Sequence, residues 1–353
     1  MSGSFLHSRL AIMKKNPVLK ILIVIVLLST MLTGCNSNAS QKQVIVYTAV
    51  DQVFSEPVLE EFERFTGIQV LPVYDVEAAK TTGLVNRLIA ESNRPKADVF
   101  WNNECAQMII LKEKSVLAPY KSPSAQDIPE QYRDPEYHWT GFGARARVII
   151  VNTELVTEEQ YPSSIYDLLL PAWKNEVGIA QPLFGTTSSH AAALFVELGN
   201  AEAQSYFTAL LANGVHIVDG NSVVRDMVVS GELKCGLTDT DDALVAIEEG
   251  KSVTMIFPDQ QGIGTLLIPN TVGLINGAPH PDEAKQFIDY LLSKDIEEAL
   301  ANCPSRQIPL RDSVPVPEIL SLYDELRFMA ISPQDIANEM SESSTWLQQY
   351  FIR

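Results

Sequence analysis

Val44-Ile45-Val46-Tyr47-Thr48-Ala49-Val50-Asp51-Gln52 decides the fold: an apolar, β-branched run empties into a polar exit, and a helical pattern begins directly behind it. Residues 44–47 have the composition of a buried strand. Phe54, Val58, Phe62 and Phe65 then share a helix face, with Ser55 as the expected cap, Pro57 tolerable in the first turn and Gly67 as the stop. The alternation continues outward. Residues 69–74 read as a strand in which Pro72 signals an edge or a distortion; Leu84, Val85, Leu88 and Ile89 make a helical stripe; and residues 98–101 make a third strand before a third helix. Residues 148–151, 177–180, 216–218 and 234–238 repeat the pattern in the second half. Ala284, Phe287, Ile288, Leu291 and Leu292 then give a strongly helical spacing, with further helices beyond the Pro-rich breaks of 304–317. The expected class is α/β with mostly parallel sheets, arranged as two lobes.

The N-terminus carries a different signal. Lys14, Lys15 and Lys20 precede the apolar residues 21–28, and Leu32-Thr33-Gly34-Cys35 follows as a lipobox, so residues 1–34 are expected to be a lipoprotein signal peptide and Cys35 the lipidated residue. The apolar stretch is interrupted and short for a membrane span. Residues 35–42 are small and polar and fit a flexible tether. Cleavage before Cys35 leaves 319 residues carrying 22 bases against 44 acids, a net charge of −22. That is enough chain for two compact lobes, and the charge repels nucleic acid and anionic lipid surfaces. Cys105, Cys235 and Cys303 are odd in number and widely spaced, which argues against a disulfide framework and against zinc.

In open α/β sheets ligands sit beyond the carboxyl ends of strands, and those exits are unusually polar here. Asp51 follows the first strand, Asp75 and Glu77 the second, and Asn103 and Glu104 the third. Later exits carry Thr186, Thr187, Ser188 and Ser189, then Asp219 and Asn221, then Thr238-Asp239-Thr240-Asp241-Asp242. Thr240 or Asp241 would cap a helix, but three carboxylates in four residues repel one another unless a cation or donors compensate, and a hard cation taking oxygen ligands is one remedy. The 186–189 turn precedes an apolar helix and is placed to hold an anion. Arg145 and Arg147 alternate along a strand and face one side; one is expected to pair with cleft acids or bind an anion, the other to make a surface ion pair. Trp101 is expected in the core. His138, His190, His216 and His280 form no metal pattern, and the chain has no P-loop, GxSxG elbow or complete dinucleotide fingerprint, so no enzyme is expected.

Five stretches in order resemble the ferric-ion-binding family of solute-binding proteins for ABC importers: residues 44–48, Phe62-Glu63-Arg64-Phe65-Thr66-Gly67-Ile68, Ala97-Asp98-Val99-Phe100, Gly143-Ala144-Arg145-Ala146-Arg147-Val148 and Gly277-Ala278-Pro279-His280-Pro281. The resemblance covers nearly all of the chain behind the tether. It implies a type II periplasmic binding-protein fold that closes on its solute, with lobe 1 at 43–147, lobe 2 at 148–262, and a return to lobe 1 with C-terminal helices at 263–353. It also implies no catalytic cofactor, and delivery to an ABC permease and its ATPase from outside the cytoplasm. We expect a monomer.

The ligand set departs from the family. Where iron-binding members carry adjacent tyrosines this chain has Asp241 and Asp242; the family's histidine falls at Asp51, and its glutamate at Asn103 with Glu104 beside it. Arg145 matches the arginine that holds the accompanying anion. The expected cargo is Fe³⁺ or another hard metal ion, held by Asp51, Glu104, Asp241 and Asp242 together with an anion. The expected wider ligand-binding set adds Glu77, Asn103, Arg145, Thr187, Ser188, Asn221 and Asp239. A small organic or phosphorylated solute is the alternative cargo, and a ligand-sensing lipoprotein serving a membrane receptor is the alternative from another class.

Overall fold

A computed structural model describes residues 41–75, 81–320 and 325–351. Cys35, the 1–34 leader and Glu77 lie outside the described residues. The strands are β1 (Gln43–Thr48), β2 (Gln69–Tyr74), β3 (Val99–Asn102), β4 (Leu117–Ala118), β5 (Thr140–Asn152), β6 (Val177–Ala180), β7 (His216–Val218), β8 (Cys235–Asp239), β9 (Val253–Ile256) and β10 (Leu267–Ile275). The main path runs β2-β1-β3-β10-β5-β8-β6-β7, with β4 on β10 and β9 on β5. β1 pairs parallel with β2 and β3, and β6 with β7 and β8. Every pairing of β10 and β5 is antiparallel. The sheet is therefore mixed rather than mostly parallel, because two long strands cross between the lobes. Residues 140–146 of β5 pair with β10, while residues 147–152 pair with β8 and β9.

Helices fill the faces: α1 (Gln52–Thr66), α2 (Thr82–Glu91), α3 (Ala106–Glu113), α4 (Gly185–Leu198), α5 (Asn200–Ala212), α6 (Asn221–Val229), α7 (Thr240–Glu248), α8 (Pro281–Leu291), α9 (Lys294–Asn302) and α10 (Pro333–Phe351). α1 starts three residues before the expected cap. Its N-cap is Asp51, and Ser55 is buried inside the helix with its hydroxyl donating to the carbonyl of Asp51 at 3.0 Å. Pro57 accordingly falls in the second turn. The buried face is Ser55, Val58, Leu59 and Phe62, whereas Phe65 is 66% exposed. Gly67 ends the helix in the left-handed conformation, its N–H bonded to the Glu63 carbonyl at 2.8 Å. β2 is the sheet edge that Pro72 signalled.

The largest apolar cluster runs through both lobes, from Tyr47, Leu88 and Phe100 to Ile149, Ile179 and Leu194, and smaller clusters belong to one lobe each. In lobe 1 the Phe62 and Phe287 rings meet edge to face at 5.1 Å, and Trp101 packs against Phe142 at 5.9 Å. In lobe 2 Val148 and Ile150 pack with Val224, Val228 and Ala243. α10 packs on α4 of lobe 2 as well as on α3 of lobe 1. Phe195 of α4 and Phe207 of α5 contact Trp346 and Phe351 of this last helix. Among the described residues no helix is long and apolar enough to cross a membrane. Cys105, Cys235 and Cys303 are all free thiols.

Candidate functional site

The cleft forms where several helices begin. α1, α4, α6 and α7 follow β1, β6, β7 and β8, and residues at all four N-termini line one pocket: Asp51, Gly185 with Thr186, Gly220 with Asn221, and Asp239 with Asp241. None of these termini has a side-chain cap. Their N–H groups and dipoles place partial positive charge around the pocket, which favours anions and offsets carboxylates. The space enclosed is about 30 Å³, room for an ion with a water molecule or two.

Of the expected residues, the structure brings together Asp51, Asn103, Arg145, Thr187, Asn221, Asp239, Asp241 and Asp242. One oxygen from each of Asp239, Asp241 and Asp242 lies within 4.8 Å of the others. Each carboxylate also has a guanidinium partner. Arg147 Nη1 donates to Asp239 Oδ1 at 2.6 Å, Arg145 Nε stands 3.5 Å from Asp241 Oδ2, and Arg225 Nη1 donates to Asp242 Oδ1 at 3.3 Å. The Arg145 pKa is raised: burial pulls it down, and the surrounding carboxylates of Asp241, Asp239, Asp51 and Asp242 outweigh that. Its Nε is buried without a hydrogen-bond partner among the described residues.

Asp239 is the most committed of the three acids. It also accepts from the Thr186 hydroxyl at 2.6 Å and from Asn221 Nδ2 at 3.0 Å. This network is built around Arg147, which is fully buried; the surface ion pair expected for one of the two arginines does not occur, because both are buried against carboxylates. The capping expected of Thr240 or Asp241 is also displaced. Asp239 holds the N-cap position, Thr240 accepts the Ala146 N–H at 3.1 Å, and Asp241 and Asp242 project from the first turn of α7.

Other expected residues stand elsewhere. Glu104 lies behind the cleft wall, fully buried, where its carboxylate accepts the N–H groups of Ala106 at 2.7 Å and Gln107 at 2.9 Å, Asn102 Nδ2 at 2.8 Å and the Ser189 hydroxyl at 3.0 Å. Those four donors, two of them the N–H groups that open α3, engage both of its oxygens, and it does not line the pocket. Burial pushes its pKa up against the lowering effect of these bonds. Ser188 turns its hydroxyl back to the Gly185 carbonyl at 2.8 Å, outside the pocket. Asp75 accepts the Leu84 N–H at 3.1 Å near the start of α2. Sequence reasoning missed Arg225, Gln181 and Phe184; Arg225 lies on α6 and meets Asp242 only through the tertiary fold, and no local signal marks it. A second carboxylate and imidazole group, Asp134, Glu136 and His138, is already occupied by the ammonium of Lys112, 2.7 Å from both acids.

Known proteins share this architecture. The profile of the family described as bacterial extracellular solute-binding protein matches residues 95–321. Iron uptake protein A1 of Synechocystis sp. is 27% identical over 299 residues, covering 81% of each chain. The crystal structure of iron-bound HitA from Pseudomonas aeruginosa superposes with a TM-score of 0.79 at 24% identity, over 87% of this chain and 99% of that one. The periplasmic binding protein AfuA from Actinobacillus pleuropneumoniae, with exogenous fructose-6-phosphate bound, superposes with a TM-score of 0.78 at 22% identity, over 88% and 99%.

Proposed function

This chain belongs to the bacterial extracellular solute-binding protein family, and from that premise we propose that it is the capture subunit of an ABC importer whose cargo is ferric iron or a similarly hard cation. Its work is binding and release, not catalysis. The observation that carries the reading is the convergence of Asp239, Asp241 and Asp242 oxygens within 4.8 Å around a space of about 30 Å³. Asp241, Asp242 and Asp51 supply hard oxygen ligands. Asp239 is tied up by Arg147, Thr186 and Asn221 and acts as scaffold. Arg145 and the N-terminus of α4 at Thr186 and Thr187 take the accompanying anion. Iron uptake protein A1 and iron-bound HitA support this cargo by their names.

A second cargo, a phosphorylated organic solute, is favoured by one observation. Each of the three carboxylates faces a guanidinium, and the pocket lining includes no tyrosine, histidine or cysteine among the described residues. Carboxylates oriented by arginine accept hydroxyl hydrogen bonds well, and this reading requires a wider opening of the lobes than the present one.

In the same proposal residues 1–34 direct export, Cys35 carries lipid, and the body works as a monomer on the outer face of a membrane beside its permease and ATPase. Lobe 1 (43–147) and lobe 2 (148–262) change over within β5, and the chain returns to lobe 1 at β10, within 263–353. Titration of the form beginning at residue 36 with ferric citrate and with fructose 6-phosphate distinguishes the cargoes. Labelling with a fatty acid tests the anchor: Cys35→Ser is expected to lose the label, and retention would refute lipidation there.

A further inference from the structure

The crossing strands meet at an irregularity. Pro269 of β10 opposes Ala144 of β5, but Asn270 opposes Phe142, so Gly143 is the extra residue of a β-bulge. Gly143 has φ +48°, and a Cβ there would lie 2.7 Å from Gln307 Oε1. Glycine takes this conformation without strain, and a Cβ here would press on the Gln307 amide oxygen that Asn270 holds. A third segment joins at the same point, since Ala144 and Ile308 exchange both backbone hydrogen bonds at 2.7 Å.

Asn270 occupies the junction and is fully buried. Its Nδ2 donates to the Gly143 carbonyl at 3.1 Å and to Gln307 Oε1 at 2.7 Å. A backbone carbonyl only accepts, which fixes the amide with its oxygen pointing the other way. That oxygen accepts from Arg145 Nη2 at 2.5 Å. One uncharged side chain thus connects both crossing strands and the 307–308 segment to the guanidinium that faces Asp241 in the cleft.

We infer that Asn270 is a positioning residue for solute binding: it aims Arg145 at the cleft and makes the arginine's orientation depend on the conformation of the hinge bulge. The inference rests on the reading of Arg145 as an anion-holding residue. β5 leaves β10 for β8 between Ala146 and Arg147, directly beyond Arg145, so a closure of the lobes that flexes β5 there moves the guanidinium against its bond to Asn270. Asn270 touches no solute itself.

A double-mutant cycle tests this with ferric citrate and inorganic phosphate as probes. Asn270→Ala is expected to weaken binding about tenfold, the effect of losing one hydrogen bond to a charged group. In an Arg145→Ala background the same change is expected to have almost no further effect. Equal weakening in both backgrounds means that Asn270 only stabilises the fold, and overturns the inference. A ligand-free readout separates this from failure of the cleft reading. The Arg145 Nε–Hε resonance, assigned by its loss in Arg145→Lys, is expected to be single and sharp in the wild type and broadened or shifted in Asn270→Ala. An unchanged resonance overturns the inference whether or not either probe binds, whereas wild-type indifference to both probes with a changed resonance faults the cleft reading alone. Should Asn270→Ala not fold, Gln307→Ala removes an acceptor that holds the amide and carries the same prediction for the resonance at smaller amplitude.

Discussion

Glu104 and Ser189 meet across the lobes: the serine hydroxyl of α4 donates to Glu104 Oε2 at 3.0 Å, while Glu104 caps α3 on the other side. The carboxylate sits directly behind Asn103, which lines the cleft, and Ser189 lies two residues beyond Thr187, which lines it from the opposite lobe. This contact ties the start of α3 to α4 and gives Glu104 a structural part in the fold.

Glu104→Gln replaces one accepting oxygen by an NH₂ group that faces N–H donors. We predict a loss of about 1–3 kcal/mol in urea unfolding at neutral pH, with metal stoichiometry unchanged in the folded fraction. Loss of metal from a variant of unaltered stability would instead make Glu104 a ligand.

His190 gives a pH dependence. Burial, with help from the nearby Arg147 charge, depresses its pKa from 6.5 to about 3. Between those values the unfolded chain binds the proton and the folded chain does not, so this group's contribution to stability is complete above about pH 6.5 and declines as pH falls. By about pH 4.5 the loss is on the order of 2–3 kcal/mol. His190→Gln should unfold with a correspondingly flatter acid limb. Parallel limbs in the two proteins would show that the imidazole is protonated in the native state.

The three thiols should differ in reactivity. Burial pushes Cys105 well above the usual thiol range, with the Glu104 charge adding to it, and burial does the same to Cys235. Cys303 is only partly buried. In the form beginning at residue 36, we predict that Ellman's reagent modifies Cys303 alone in the native protein and all three residues in denaturant. Fast native modification of Cys105 or Cys235 would place it in an open environment.

The alternation of strands and helices was legible because it is local: the 44–47 run, the Gly67 stop and the stripe from Ala284 to Leu292 each declare their element within a few residues. The polar strand exits were legible for the same reason, and they place Asp51, Asn103, Asn221 and Asp241 in one cleft. Pairing direction was not, since the antiparallel course of β5 against β10 depends on partners more than a hundred residues apart. Nor could the fate of individual polar side chains be read. Glu104 and Asp241 look alike in sequence, and only the three-dimensional count of donors around Glu104 separates a helix cap from a cleft acid. Asn270, in the middle of an apolar strand, gives no sign that it reaches Arg145.

The most direct test of the cleft as a hard-cation site is thermal-shift titration of the form beginning at residue 36 with ferric citrate, combined with metal analysis, for the wild type, Asp241→Ala and Asp242→Ala. The account predicts saturable stabilisation with one iron per chain in the wild type, a shift of about 2.7 kcal/mol at a hundredfold excess over the dissociation constant, and its loss in both variants with the fold intact. No stabilisation by any metal, together with a saturable shift from fructose 6-phosphate, would contradict it.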